Sequence, residues 1–228
     1  MKTLLIRSIT GLVYLSILCF AFFSSKYALL AVFTVFLLIA VVEYILLVQK
    51  FPAYKNSMQR ITQQFIIPVI WIIMPVLLLE YWCINLHATS IVVAIFVILC
   101  VNDSLAYVFG TLLGKHKMWS KISPKKSWEG FAGGMIFTLI TSWFFIKIPY
   151  FQNDILNNLY IWMGFTFVII IAGTFGDFAE SMVKRFANQK DSGYILPGHG
   201  GILDRIDSML FAIPAGFIYY AIAGLFKI

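Results

Sequence analysis

Charge is scarce in this chain: only 12% of its 228 residues are Asp, Glu, Lys or Arg. No long polar segment is present, which leaves no room for a separate soluble domain and confines any chemistry to helix ends and short loops. Cysteine is nearly absent too. The three cysteines, Cys19, Cys83 and Cys100, all lie in apolar runs without C-x-x-C spacing, which argues against disulfides and thiolate metal sites. There is no Walker A pattern and no G-x-G-x-x-G. A Ser-His-Asp set can be assembled from Ser181, His199 and Asp204, but no G-x-S-x-G elbow accompanies it. No internal repeat of the kind common in transporters is visible.

Apolar sequence is what remains: 61% of residues are hydrophobic and the mean hydropathy is +0.90. These values predict an all-α fold, a polytopic transmembrane helical bundle forming a single domain over 1–228. A span needs about 20 apolar residues to cross about 30 Å of hydrocarbon. Runs of that kind occur near 4–23, 27–48, 65–83, 90–113, 130–148, 159–179 and 202–226, giving about seven spans. The first follows Lys2 and contains Arg7 but has no small-x-small cleavage site, so it is expected to be a retained helix. With the N-terminus inside, fourteen Lys and Arg, from Lys2 to Arg205, face the cytoplasm and only Lys26, Lys147 and Lys227 lie outside. That asymmetry predicts a cytoplasmic N-terminus and charged motifs on the cytoplasmic face of the cell membrane. No nucleic-acid partner is expected.

Half of the ten acidic residues fall within one stretch, Gly173 to Ser208. At about 100° per residue, Asp177, Glu180, Ser181 and Lys184 share one helix face. After a loop containing PGHGG, Asp204 and Asp207 lie three apart at the start of the next helix. Carboxylates without sulfur or imidazole suit a hard cation such as Mg²⁺, which binds substrate phosphates through few protein ligands. Asp177, Asp204 and Asp207 are therefore the candidate metal ligands. Lys184, Arg185, Lys190 and Arg205 are candidates to hold phosphates, and His199, Gly200 and Gly201 belong to a loop flexible enough to wrap one.

Three sites lie outside that stretch. Asn102-Asp103 sits about ten residues, or about 15 Å, inside the fourth span, where an acid implies a polar cavity. Asp103 is thus a substrate-binding candidate, while Asn102, Ala106 and Gly110 form a small-residue face for close packing, and Gly130, Gly133 and Gly134 form a second one. The segment 114–127, expected to be a loop, holds Lys115, His116, Lys117, Lys121, Lys125 and Lys126 without an acid. Within ISPKKSWEG, Ser123, Lys125 and Lys126 precede a helix N-terminus that favours an anion. Glu43, near the inner end of the second span, is a buried-acid candidate, because ionisable residues within spans are costly and often functional; pairing with a nearby Lys at headgroup level is the favoured reading. Pro68 and Pro75 predict kinks in the third span.

The run Ser181 to Asp207 reads S-x-V-K-R-x4-K-D-x-G-x2-L-P-x-H-G-G-I-x-D-R-I-D. It resembles the signature of the CDP-diacylglycerol synthases, or phosphatidate cytidylyltransferases. The likeness extends through VNDSLAYVFGTLLGK and ISPKKSWEGFAGG, from about Val101 to Asp207, and marks 101–208 as the active-site region. It implies formation of CDP-diacylglycerol and pyrophosphate from CTP and phosphatidate, with Mg²⁺, K⁺ as a second cation, and a homodimer. By this resemblance Asp177, Asp204, Asp207, Lys184 and Arg205 are catalytic, and Ser181, Arg185, Lys190 and His199 bind substrate. Two alternatives are a cytidylyltransferase for another lipid phosphate, such as an archaeal ether lipid, and an anion transporter using Asp103 and the Lys-rich segment.

Overall fold

The computed structural model describes residues 2–51, 59, 62–151 and 156–226; Lys55, Arg60 and Lys227, three of the charges used for orientation, lie outside the described residues. The elements are α1 (Lys2–Phe23), α2 (Lys26–Val48), α3 (Thr62–Ile84), α4 (Thr89–Leu113), β1 (Lys117–Trp119), β2 (Ser123–Ser127), α5 (Trp128–Phe145), α6 (Leu159–Phe186) and α7 (Leu203–Phe226). The fold is all-α apart from that two-stranded hairpin. Among the described residues, five helices are long and apolar enough to cross a membrane: α2, α3, α4, α6 and α7. The other two expected spans are the 22-residue α1, apolar over Ser8–Phe23, and the 18-residue α5, which are not among those five.

Local sequence accounts for several boundaries. Ser25 caps α2 by accepting from the Ala28 amide at 3.1 Å, as an N-cap serine does. Around the prolines at which kinks are expected, α3 contains two π turns, Thr62–Ile66 and Val69–Ile73, the second following Pro68 and giving way to α-helix at Met74, one residue before Pro75. Proline has no N–H to give the turn before it, and a wider turn absorbs the missing bond. Helix α6 ends in a Schellman arrangement: Asn188 adopts φ 54°, its amide reaches Arg185 O and the Gln189 amide reaches Lys184 O. Asparagine tolerates this left-handed position better than most residues.

Packing divides the chain into two compact units, each built from two separate segments. The first comprises Met1–Thr89 and Ala179–Leu210: α1 to α3, the end of α6, the following loop and the start of α7. Its interior is aromatic, with Phe33, Tyr44 and Trp82 buried, Tyr14 stacked on Phe36 and Tyr44 edge-on to Trp71.

The second comprises Ser90–Phe178 and Phe211–Ile228: α4, the hairpin, α5, most of α6 and the rest of α7. The Trp162 indole donates to Ser142 O and the Tyr219 hydroxyl to Ile161 O, which satisfies polar groups where hydrocarbon offers no partner. The expected small-residue faces meet between α4 and α5. A Cβ at Gly130 would lie 2.7 Å from Ala106 O, and one at Gly134 would lie 2.9 Å from the Ala106 Cβ, so the helices approach at backbone distance.

Candidate functional site

The segment 117–127, expected as a loop, is an antiparallel hairpin pairing Lys117 with Ser127 and Trp119 with Ser123. Pro124 is tolerated because a two-stranded ribbon has only edges. Glu129, in the first turn of α5, ties the hairpin's base to the helix. Its carboxylate accepts from the backbone amides of Lys115 and His116, at 3.1 Å each, and contacts the His116 ring at 2.5 Å. The contact with the His116 ring, more than any other, holds the Glu129 carboxyl down at about 2. Ser127 caps α5 by accepting from the Gly130 amide, and the Trp128 amide closes on His116 O.

Anchored in this way, β2 forms one wall of a cavity of about 260 Å³ within the second unit. Lys125, Lys126 and Ser127 line it from the hairpin, Asn102 and Asp103 from α4, and Thr174 and Asp177 from α6. The Lys126 ammonium lies 2.5 Å from the Asp177 carboxylate and 4.7 Å from the centre of the Phe178 ring. Asp103 is exposed at the protein surface and lines this cavity, in keeping with the polar cavity that an acid within a span implies. Asn102 is buried at 4% exposure, and its side-chain oxygen has no hydrogen-bond partner.

The cavity's donor set fits a hard cation shared with a phosphate. It offers oxygen from Asp103, Asp177, Thr174 and the unpartnered Asn102, with two ammonium groups beside them. Among the described residues no group of three His, Cys, Asp or Glu is clustered as a metal site. An ion here would therefore draw on substrate oxygens and water as well as one or two carboxylates, which is the habit of Mg²⁺.

The rest of the acidic stretch is organised within the first unit. Lys184 stands between two carboxylates, 2.5 Å from Glu180 and 2.6 Å from Asp204. All three side chains are nearly buried, at 12% exposure for Lys184, 1% for Glu180 and 5% for Asp204. Asp204 does more: its other oxygen accepts from the Ser192 amide at 2.9 Å, the Ser192 hydroxyl at 3.0 Å and the Gly201 amide at 2.8 Å. A carboxylate holding that many donors fixes the loop between α6 and α7.

That loop is shaped by its glycines. Leu196 to His199 forms a tight turn in which the His199 amide returns to Leu196 O. Pro197 precedes Gly198 at φ 80°, the arrangement of a type II turn, and Gly200 lies at φ 84°, where a side chain would be strained. His199 packs back on α1: its Nδ1 is 2.8 Å from the Thr10 hydroxyl, which is also 3.1 Å from Pro197 O.

Lys125, Lys126, Asp103 and Asp177 are thus brought to one cavity, whereas Ser123, at the start of β2, does not line it. Lys184, Asp204, His199, Gly200 and Gly201 gather around the α6–α7 loop. Ser181 is buried on α6 in the same unit, Arg185 donates to Gln189 O, Lys190 and Arg205 are exposed, and Asp207 accepts from the Ser208 amide. Sequence reasoning did not assign Glu129 any role and read Asn102 only as a packing residue. Glu43 differs from expectation. Its partners are the Ser192 hydroxyl and the Ile202 and Leu203 amides, at 3.0, 3.1 and 2.9 Å. At 2% exposure it is in the interior rather than at headgroup level.

Comparison with known proteins follows this geometry. The model of the "Cytidylyltransferase family" matches residues 5–223, nearly the full length described. The chain belongs to the cytidylyltransferase family. Among curated relatives, the phosphatidate cytidylyltransferase of Staphylococcus aureus (strain COL) is 47% identical over 119 residues, that of Staphylococcus haemolyticus 46% and that of Staphylococcus epidermidis 44%. Each match covers 52% of this chain and 44% of the relative, so it spans less than half the length of these cytidylyltransferases.

Proposed function

We propose that the chain transfers the cytidylyl group of CTP to phosphatidate, giving CDP-diacylglycerol and pyrophosphate. The observation that carries this reading is the cavity of the second unit, where two lysines and two carboxylates converge in a member of the cytidylyltransferase family. A phosphate oxygen of phosphatidate attacks the α-phosphorus of CTP, the bond from that phosphorus to the oxygen bridging to the β-phosphate breaks, and pyrophosphate leaves with that oxygen. Lys125 and Lys126 hold the phosphates and balance charge on the leaving group, and Asp177 orients the Lys126 ammonium. Fixed groups of this kind accelerate transfer by positioning and electrostatics.

Mg²⁺, when bound, would neutralise phosphate charge, and Asp177 is the first candidate to hold it. In the other unit Asp204 and Asp207 are the motif's candidates, and K⁺ is carried over from the family resemblance as a second cation. The buried Lys184 holds the α6–α7 loop through Asp204, while the exposed Lys190 and Arg205 are placed to meet anionic substrate from water.

The chain is proposed to cross the bacterial inner membrane seven times, using α1 and α5 as well as the five longer helices, with its N-terminus and site facing the cytoplasm. A homodimer is proposed from the same resemblance. Purified protein supplied with CTP and either phosphatidate or an ether-linked lipid phosphate tests the substrate. Phosphatidate should be the better acceptor by at least tenfold; preference for the ether lipid would reassign the acceptor, and no transfer to either would refute the reading.

A further inference from the structure

The motif Ser181 to Asp207 is read as a self-contained signature, yet its loop is built around a residue from far outside it. Glu43, on α2, is 2% exposed and its carboxylate accepts from the Ser192 hydroxyl and the amides of Ile202 and Leu203. Those amides open α7, where the first turn's N–H groups have no partner within the helix. A carboxylate there satisfies them and complements the positive end of the helix dipole. The cap is therefore supplied by another helix, about 160 residues away in sequence.

Two motif glycines record the same contact. A Cβ at Gly193 would run into Glu43, with its Cγ at 3.1 Å and the carboxylate nearer, and one at Gly201 would meet both Ser192 and the Glu43 carboxylate. The loop closes around this acid only because both positions lack side chains. Ser192 links Glu43 to Asp204: its hydroxyl lies 3.0 Å from each carboxylate, and the two share its single proton. Burying a carboxylate is costly unless it is hydrogen-bonded, and among the described residues its donors come from this loop and the helix start that follows.

We infer that Glu43 is a positioning residue, which acts through Ser192, Gly193 and Gly201 to set the geometry of the 190–201 loop and of Asp204. The inference rests on the cytidylyltransferase reading for its kinetic readout, but not for its structural one.

The test uses the full chain in lipid nanodiscs with Glu43→Ala, Glu43→Gln, Gly193→Ala and the Glu43→Ala/Gly193→Ala pair. Loop order is read by trypsin cleavage at the exposed Lys190, and catalysis by kcat and KM for CTP. Glu43→Ala should raise the cleavage rate at least tenfold and lower kcat at least tenfold, with a smaller change in KM. Glu43→Gln, which keeps one acceptor oxygen and the volume, should fall between it and the parent. Gly193→Ala leaves α2 untouched and should reproduce the loosened loop even if Glu43→Ala fails to fold. Because both changes break one contact, the pair should be no worse than the worse single variant.

Unchanged Lys190 cleavage in folded Glu43→Ala, or losses that multiply in the pair, would overturn the inference. A kcat loss without loop loosening would contradict it as well. Looser loops in a protein whose parent transfers no cytidylyl group would uphold Glu43 and refute the proposed reaction.

Discussion

Lys126 Nζ and Asp177 Oδ2 stand 2.5 Å apart at the wall of one cavity, an ammonium from the hairpin against a carboxylate from α6. Such a pair holds each charge in place for a third charged group. If that group is a substrate phosphate, Lys126→Gln and Lys125→Gln should each lower kcat/KM at least tenfold, about 1.4 kcal/mol of transition-state stabilisation. Lys117, which does not line the cavity, is the control and its Gln variant should change little. Equal small effects at all three positions would mean that these lysines only set topology.

The long periodic features of this protein were legible in its sequence. Helices appear where the apolar runs lie, α2 over the run 27–48 and α4 over 90–113, and the close approach of α4 to α5 follows from Ala106, Gly110, Gly130 and Gly134. The acidic face of α6 follows from its 3.6-residue period. The hairpin was not legible, because KMWSKISPKKS carries no alternating apolar pattern from which a strand is read. The partners of Glu43 were not legible for a different reason: Ser192, Ile202 and Leu203 adjoin it only through folding, and no local pattern encodes so distant a contact. Glu129 likewise meets His116 across the whole hairpin.

Glu129 ties the hairpin that presents both lysines, so Glu129→Ala should raise the KM for CTP several-fold more than it lowers kcat. The acid also predicts a pH window. Its carboxyl is held at about 2 in the folded chain, below the unfolded value of about 4.3. A depressed pKa contributes stability that is fully present above about 4.3 and is lost as pH falls toward 2. The unfolding temperature of the parent should therefore exceed that of Glu129→Ala at pH 6, and the gap should narrow below about pH 4. A gap constant from pH 6 to pH 3 would contradict the anchoring.

The carboxylates are separable by two readouts. Asp177→Asn and Asp204→Asn should each lower cytidylyl transfer by several orders of magnitude at matched expression, whereas Asp191→Asn, which changes an exposed acid of the α6–α7 loop, should lose less. Only Asp204→Asn should also speed trypsin cleavage at Lys190, because Asp204 alone of the three accepts from Ser192 and Gly201. Near-parental rates in both Asp177→Asn and Asp204→Asn would remove them from the chemistry and return attention to Asp103.

Orientation is tested by thiol labelling. In a background lacking Cys19, Cys83 and Cys100, Lys50→Cys and Lys121→Cys should resist a membrane-impermeant maleimide in intact cells and react after lysis. Ready labelling of both in intact cells would invert the proposed topology.

The central claim is that the α-phosphorus of CTP is transferred to a lipid phosphate while pyrophosphate leaves. Purified protein in nanodiscs containing phosphatidate, supplied with Mg²⁺ and with CTP labelled at either the α- or the γ-phosphate, tests it directly. The account predicts that α-label enters the lipid fraction as CDP-diacylglycerol, that γ-label is recovered only in pyrophosphate, and that Lys126→Gln suppresses both together. Appearance of γ-label in the lipid, or release of label with none reaching the lipid from the α-position, would contradict it.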